Sequence, residues 1–561
     1  MAEQRPRTRV PRGLTVFEQF IHIDDAISRD AALVIDSNAT SRSVTVQNLK
    51  DFGFGIVKQT TKMVDGRNML EHRQFNLVVC DYNFDTEASS GLSLLEELRR
   101  ENLLPYSTVF IMIASEATYN QVAEAAESAL DGLLLKPFSA NSLAERIKEA
   151  RQRKRELKEI FQSLEQRDYD RAAEMCLQRF ESRQLYWLYA ARIGAELLLR
   201  QKRLEEANRL FEAVMAAKTV PWARLGLARV HFAEGDIAKA RHKVEALLED
   251  EPDNADAYDV LGRVQMEQGQ VDEARATFET ANKLTPDCIL RLQHTGTLSF
   301  YAGDGDRAAE LLERAWTLGK KSRLFDFLSM LLLAFIRYDE KQTGALQLAM
   351  DNLSQAVARH PQSVRLRRFE RIGIVLWDMT NGRTQRAFHV AREISRDFAK
   401  TTFDVEAAMS VLSMLSRLVR GGFPIDEFES IVRRLGQRFS VSKSANQILL
   451  TAAQRRADVE QWLADALVET SKIAQTGVDL SLQAELERAV EMLLQYGGLT
   501  YNARVIELAG QLLKRHGDTI PNLDQLVDAQ GVLARRFCVP STHIAGVRRS
   551  GRSSGGLLLR G

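Results

Sequence analysis

The sequence predicts a multidomain protein in which an α/β domain with a doubly wound parallel sheet is followed by an all-α superhelix. Between residues 31 and 153, short apolar runs alternate with amphipathic stretches, which is typical of strands buried on both faces and of the helices that cover them. From about residue 156 to residue 530 the pattern is amphipathic helix, and part of it repeats with a fixed period. At 561 residues, the chain is also too long for a single hydrophobic core.

Five apolar runs predict the strands of the first domain. Helical periodicity fills the gaps between them, as in the leucine-rich segment 91–100. The charged stretch 151–155 predicts that the last helix of this domain continues into the helical part. The predicted strands span residues 32–36, 54–60, 75–81, 107–114 and 132–136.

An internal repeat predicts paired helices after the sheet. Gly235, Gly269 and Gly303 are evenly spaced along the chain, and several other small residues keep the same step. Small residues where two helices cross, with a proline after the second helix and a period of about 34 residues, resemble the tetratricopeptide repeat. The resemblance implies stacked helix pairs that present a concave surface to a protein partner, whose identity the sequence leaves open. The best single copy carries Tyr258, Leu261, Gly262, Gly269, Ala274, Phe278, Ala281 and Pro286.

These patterns divide the chain into five predicted segments. The segments are a basic flexible extension (1–30), the α/β domain (31–153), tetratricopeptide-like repeats (154–400, clearest at 222–320), degenerate repeats or a helical cap (401–535), and a disordered basic Gly/Ser tail (536–561).

Composition argues against several classes of function. The four cysteines form no CxxC pair, which argues against a disulfide scaffold or a zinc site and fits a cytoplasmic protein. No segment reaches the roughly 18 apolar residues of a membrane span, so we expect no membrane contact. Arginine-rich stretches such as 365–368 suggest a nucleic-acid-binding solenoid, but a net charge of +1 weighs against that partner. The nine histidines show no ligand or triad spacing, and we expect no turnover enzyme.

Charged residues stand at the ends of three predicted strands. Asp36 closes the first strand, Asp81 closes the third, and Lys136 closes the fifth. The functional crevice of an open α/β sheet lies beyond the carboxyl ends of its strands, so two carboxylates and one ammonium are expected at a single site. A carboxylate can attack phosphorus, and an ammonium stabilises the charge of a transferring phosphoryl group.

These residues, with the Lys-Pro-Phe sequence that begins at Lys136, resemble the receiver domain of two-component response regulators over residues 31–153. The resemblance implies a flavodoxin-like fold and a phosphoryl group received on Asp81 from a histidine kinase or a phosphotransfer protein. It further implies that Lys136 pairs with the phosphate. Asp36, Asp81 and the backbone of Asn83 would hold Mg²⁺, which prefers oxygen ligands.

Three positions depart from the family's pattern. Ser37 replaces a second acidic residue, Ala114 replaces a threonine or serine at the end of the fourth strand, and Leu133 replaces an aromatic switch residue. Ser115 lies one position after the place where the family has this hydroxyl, and we expect its side chain to point away from the site. Without the hydroxyl and the aromatic ring, the usual coupling between phosphate and the surface of the domain is expected to be lost.

The change at Ser37 bears on the metal. A neutral hydroxyl offers Mg²⁺ no formal charge, whereas a carboxylate would. Asp85 or Glu87, in the loop after the third strand, is an alternative acidic ligand.

Two functions follow from these features. In the first, the protein is a response regulator that is phosphorylated on Asp81 and acts by protein–protein interaction through its helical repeats. In the second, the departures have made the first domain a phosphorylation-independent pseudo-receiver, and the protein is a scaffold.

Overall fold

The computed structural model describes residues 27–84, 90–101, 103–115, 130–320, 324–441, 443–516 and 522–538. Within these ranges the chain divides into two compact units, one that ends at Asn254 and one that begins at Ala255. Most of the predicted N-terminal extension and of the predicted tail lies outside the described residues.

The first unit begins with a parallel sheet of five strands in the order β2-β1-β3-β4-β5. All five predicted strands are confirmed, and each begins close to its predicted start. The strands are β1 (Ala31–Ile35), β2 (Ile56–Thr60), β3 (Leu77–Asp81), β4 (Val109–Ala114) and β5 (Gly132–Leu135).

Helices cover both faces of the sheet, which confirms the doubly wound fold. One core lies between the sheet and α1 and α4, with Leu49 and Ile147 among its fully buried members. The other core lies between the sheet and α2 and α3, with Leu70 and Leu95 buried in it. These helices are α1 (Ala39–Asp51), α2 (Met63–His72), α3 (Gly91–Arg100) and α4 (Ala140–Glu156).

The first unit continues directly into helices, as the charged stretch 151–155 predicts. Helix α4 ends at Glu156 and the next helix starts at Lys158, so only Leu157 separates them, and its side chain is buried. The six further helices of this unit are α5 (Lys158–Glu165), α6 (Tyr169–Glu181), α7 (Trp187–Arg200), α8 (Leu204–Ala217), α9 (Pro221–Glu234) and α10 (Ile237–Asp250).

A buried carboxylate ties helix α4 to the sheet. The side chain of Asp131, just before β5, is 0% exposed and accepts a hydrogen bond of 2.9 Å from the backbone N–H of Phe110. The guanidinium of Arg153 and the ammonium of Lys154 lie 2.9 and 3.1 Å from the other carboxylate oxygen. Burial would raise the pKa of Asp131, but Lys154 and Arg153 lower it, so the carboxyl is ionised.

The same two cations contact the helices that follow. The ammonium of Lys154 donates to the backbone oxygen of Tyr106 at 2.7 Å and lies 4.7 Å from the ring centre of Phe161 in α5. The guanidinium of Arg153 lies 4.8 Å from the ring centre of Tyr189 in α7. Contacts of this kind stabilise by about 1 kcal/mol or more when they are removed from water. The sheet, α4 and the first helices of the helical part therefore share one buried network.

The second unit is helical throughout its described residues. Apart from the short 3₁₀ helix at 397–399, its helices are α11 (Ala255–Glu267), α12 (Val271–Leu284), α13 (Ile289–Ala302), α14 (Gly305–Gly319), α15 (Leu328–Asp339), α16 (Thr343–Arg359), α17 (Val364–Thr380), α18 (Thr384–Arg396), α19 (Val405–Arg420), α20 (Ile425–Phe439), α21 (Lys443–Ala452), α22 (Ala457–Leu482), α23 (Leu486–Thr500), α24 (Ala503–His516) and α25 (Leu523–Phe537).

The helix boundaries confirm the period predicted from the sequence. The first residues of α9, α11 and α13 are spaced by the same step as the periodic glycines, and so are those of α10, α12 and α14. The periodic residues Gly235, Gly269 and Gly303 have φ angles of 83°, 77° and 89°, a conformation that glycine adopts without a Cβ clash. Within one pair, a Cβ on Gly262 would lie 2.6 Å from the ring of Phe278. Glycine is therefore needed where these two helices cross.

The arginine-rich stretch that begins at Arg365 is used inside the second unit. Arg365 binds Asp326 at 2.7 Å and Glu406 at 2.5 Å, and Arg368 donates to the backbone oxygen of Thr402 at 2.8 Å. These two guanidinium groups therefore stabilise the helix stack, and the expectation about nucleic acid stays a prediction.

A helix that spans a membrane must be both long and apolar. Among the residues that the structure describes, no helix is both long enough and apolar enough to cross a bilayer.

Replacing Asp131 with asparagine tests the buried network. Asp131→Asn leaves Arg153 and Lys154 without their buried counter-charge, and we expect it to cost about 3 kcal/mol of unfolding free energy. Urea denaturation followed by tryptophan fluorescence measures the change. The matched control is Glu149→Gln, which removes an exposed ion pair with Arg146 on the same helix and should cost less than about 0.5 kcal/mol. Equal stability of the two variants would contradict the role of the network.

Candidate functional site

Asp36, Asp81 and Lys136 meet at the carboxyl ends of the strands. Ile35 pairs with Cys80 in the sheet, which places Asp36 and Asp81, the residues that follow this pair, side by side. The ammonium of Lys136 lies 2.6 Å from Oδ2 of Asp81 and 3.2 Å from Oδ2 of Asp36. The backbone N–H of Lys136 donates to the carbonyl of Ala114 at 2.8 Å, which fixes the end of β5 against the end of β4. The structure thus brings together the three residues that the sequence predicts.

Asp36 is held by the first turn of α1. Its Oδ1 accepts the backbone N–H of Asn38 at 2.8 Å, and its Oδ2 accepts the hydroxyl of Ser41 at 2.6 Å. The guanidinium of Arg42 donates to the backbone oxygen of Asp36 at 2.8 Å. Asn38 also caps the helix by accepting the N–H of Ser41 at 3.0 Å. Sequence reasoning missed Ser41 and Arg42 as site residues, although their place in the first helical turn after a strand-end aspartate is a usable signal.

Gly91 fixes the end of the loop that follows Asp81. Its N–H donates to the carbonyl of Tyr82 at 2.9 Å, and a Cβ at this position would clash with the backbone oxygen of Asp81. A larger residue would therefore displace the strand end that carries Asp81.

Burial and charge act on Asp81 in opposite directions. Burial, the largest effect, raises the pKa of Asp81; the hydrogen bond from Lys136 lowers it, and the negative charge of Asp36 raises it again. The pKa of Lys136 is raised, because the two carboxylates outweigh the effect of burial. Among the described residues, Oδ1 of Asp81 is buried without a hydrogen-bond partner. A buried carboxylate oxygen in that state favours a cation or a proton donor beside it.

A cavity of about 540 Å³ opens above this group. Asp36 is buried below it, whereas Asp81 and Lys136 reach its wall. Its lining consists of Ser37, Asn38, Thr40, Ser41, Val44, Asp81, Asn83, Ser115, Lys136, Pro137 and Phe138.

The departures from the family's pattern occupy different surroundings. Ser37 lines the cavity, so its hydroxyl stands where a carboxylate is usual. Ala114 is 1% exposed at the end of β4, and Leu133 packs against the core on the α2 and α3 side of the sheet. The prediction that Ser115 points away from the site is wrong, since this exposed residue lines the cavity with Asp81.

The predicted metal ligands are only partly described. Asn83 lines the cavity near Asp81, whereas the alternative ligands Asp85 and Glu87 lie outside the described residues. In the described part of the chain, no group of three or more His, Cys, Asp or Glu side chains is arranged to hold a metal ion.

Comparison with known proteins finds two families. The sequence-family model of the response regulator receiver domain matches residues 32–148. The family model of the tetratricopeptide repeat matches residues 198–260 and 231–294. Chemotaxis protein CheY-3 of Vibrio cholerae is 31% identical over 115 residues, which cover 20% of this chain and 86% of that protein. Chemotaxis protein CheY of Pseudomonas aeruginosa is 30% identical over 115 residues, covering 20% of this chain and 90% of that protein.

Comparison with solved structures also finds a tetratricopeptide repeat protein. A thermophilic tetratricopeptide repeat protein of Thermus thermophilus is 21% identical, with 31% of this chain and 93% of that chain covered and a TM-score of 0.24.

Opposite effects on the pKa of Asp81 test the electrostatics of the site. Lys136→Gln should raise this pKa, because it removes the hydrogen bond and the positive charge that lower it. Asp36→Asn should lower it by removing the neighbouring negative charge. Carboxyl ¹³C shifts of aspartate-labelled protein, followed against pH, measure both changes.

The control for this titration is Lys148→Gln, on the exposed side of α4. Because the folded protein holds the Asp81 proton to higher pH than the unfolded chain, the contribution of Asp81 to stability should fall as pH rises through the raised pKa. Shifts of the Asp81 pKa in the same direction in both variants would contradict the described geometry.

Proposed function

Because the chain belongs, through residues 32–148, to the response regulator receiver family, we propose that Asp81 is its phosphoacceptor and that its tetratricopeptide repeats deliver the output by binding a protein. The observation that carries the proposal is the contact of 2.6 Å between Lys136 and Asp81 at the wall of an open cavity. The phosphodonor is a phosphohistidine on a cytoplasmic kinase or phosphotransfer protein.

The chemistry needs a nucleophile and a counter-charge. A carboxylate oxygen of Asp81 attacks the phosphorus, the bond from phosphorus to the donor's histidine nitrogen breaks, and the electron pair stays on that nitrogen, which is then protonated. The ammonium of Lys136 offsets the negative charge that the phosphoryl group brings to the pocket. The product is an acyl phosphate on Asp81, and no external substrate is turned over.

Mg²⁺ fits the oxygen atoms of this site. Oδ1 of Asp81, buried without a hydrogen-bond partner among the described residues, would serve as one ligand of the ion. Asp36 and the backbone carbonyl of Asn83 are the further oxygen ligands that we propose, with water in the remaining positions. Bound there, the ion would neutralise phosphoryl oxygens, and the hydroxyl of Ser37 would leave it with less negative charge than a second carboxylate gives.

The route from this pocket to the repeats is short. Helix α4 starts at Ala140, four residues after Lys136, and its last turns enter the network around Asp131 that reaches α5 and α7. A displacement of the Lys136 segment would therefore be passed along one helix to the first helices of the repeat region. This continuity supports an output through the repeats.

Labelling with a phosphodonor tests the proposal. Purified protein incubated with ³²P-acetyl phosphate and Mg²⁺ should take up about one label per chain, released by hydroxylamine, which cleaves acyl phosphates. Asp81→Asn should take up none. Asp65→Asn, an exposed aspartate in α2, is the matched control and should be labelled normally.

A wild-type protein that takes up no label would contradict the proposal. That outcome would favour the scaffold function, in which Ser37, Ala114 and Leu133 mark a receiver that no longer receives phosphate.

A further inference from the structure

The register of β4 determines which hydroxyl faces the pocket. Asp81 pairs with Ile113 in the parallel sheet, and paired residues point to the same face. Ile113 belongs to the core on the α1 and α4 side, whereas its neighbour Met112 belongs to the core on the other side. Side chains alternate along a strand, so Ala114, the last residue of β4, follows Met112 to the far face, and the next residue, Ser115, lines the cavity with Asp81.

The surroundings of Ser115 agree with this register. Ser115 is exposed and lines the cavity together with Asp81 and Lys136, whereas Ala114 is buried and forms no part of the lining. The carbonyl of Ala114 is held by the N–H of Lys136 at 2.8 Å. Ser115 therefore follows an anchored peptide group and lines the same cavity as Lys136, whose ammonium contacts Asp81.

We propose that the hydroxyl of Ser115 donates a hydrogen bond to an oxygen of the phosphoryl group carried by Asp81. This inference rests on the proposed function and assigns the contact to a position one residue after the one that the family uses. A serine hydroxyl is a single donor that can turn toward a new acceptor, and a hydrogen bond to a charged group is stronger than one to a neutral group.

The assignment separates two parts of the family's usual switch. The hydroxyl contact is kept, at Ser115 instead of position 114. The aromatic part is not kept, because Leu133 is aliphatic and packs, partly buried, against the core on the α2 and α3 side. The phosphoryl group would thus be bound by a hydroxyl just after β4, whereas β5 lacks the aromatic switch residue that normally responds to it.

Binding of beryllofluoride, which mimics a phosphoryl group on a carboxylate, tests the assignment on the full chain. We expect Ser115→Ala to weaken binding, measured by ¹⁹F NMR in the presence of Mg²⁺, by about tenfold through the loss of one hydrogen bond to a charged group. Ser115→Thr keeps the hydroxyl and should stay within about threefold of wild type. The double variant with Ala114→Ser and Ser115→Ala should bind as weakly as Ser115→Ala, because position 114 faces the core.

Each contrary result has a distinct meaning. Equal binding by wild type and Ser115→Ala would overturn the role of Ser115 and leave Asp81 as phosphoacceptor. Recovery of binding in the double variant would overturn the register argument. No bound ¹⁹F signal in wild type, together with no ³²P label, would overturn the proposed function itself.

Discussion

The first unit depends on the ion pairs that the buried carboxylate of Asp131 forms with Arg153 and Lys154. This carboxylate holds Arg153 and Lys154 at the C-terminal end of α4, and both cations extend to aromatic rings of the following helices. Burial lowers the pKa of Lys154 to about 8, the ordinary response of an ammonium removed from water. Such a group is retained only where partners satisfy it, and here they are the carboxylate of Asp131, the backbone oxygen of Tyr106 and the ring of Phe161 in α5. The receiver is therefore joined to its neighbouring helices through a packed core, and in the described chain only Leu157 separates α4 from α5.

A second ion cluster lies at the opposite end of α4. There Lys136 joins Asp81 and Asp36 above the carboxyl ends of the strands. One helix of 17 residues thus runs from the pocket to the Asp131 network, a distance of about 25 Å at 1.5 Å per residue. The chemistry proposed for the pocket changes the charge at one end of this helix, and α5 and α7 contact the network at its other end. The proposed signal would therefore pass from the pocket to α5 and α7 through helix α4.

Much of this was predictable from the sequence, and the exceptions have physical causes. Asp36, Asp81 and Lys136 could be found because the ends of parallel strands converge. The orientation of the Ser115 side chain was predicted wrongly. The sequence alone does not show which way a side chain points just after the last residue of a strand. The role of Asp131 was missed because its partners, Arg153 and Lys154, are distant in the chain and lie in a charged stretch that is indistinguishable from a solvated helix face.

Hydrogen exchange measured by mass spectrometry, with and without beryllofluoride and Mg²⁺, tests most directly whether the pocket and helices α5 and α7 act as one body. Occupation of Asp81 should change exchange not only around the pocket but also in α4, α5 and α7, and Asp81→Asn should abolish every change. Changes confined to residues 31–138, with α5 and α7 exchanging as before, would contradict the account.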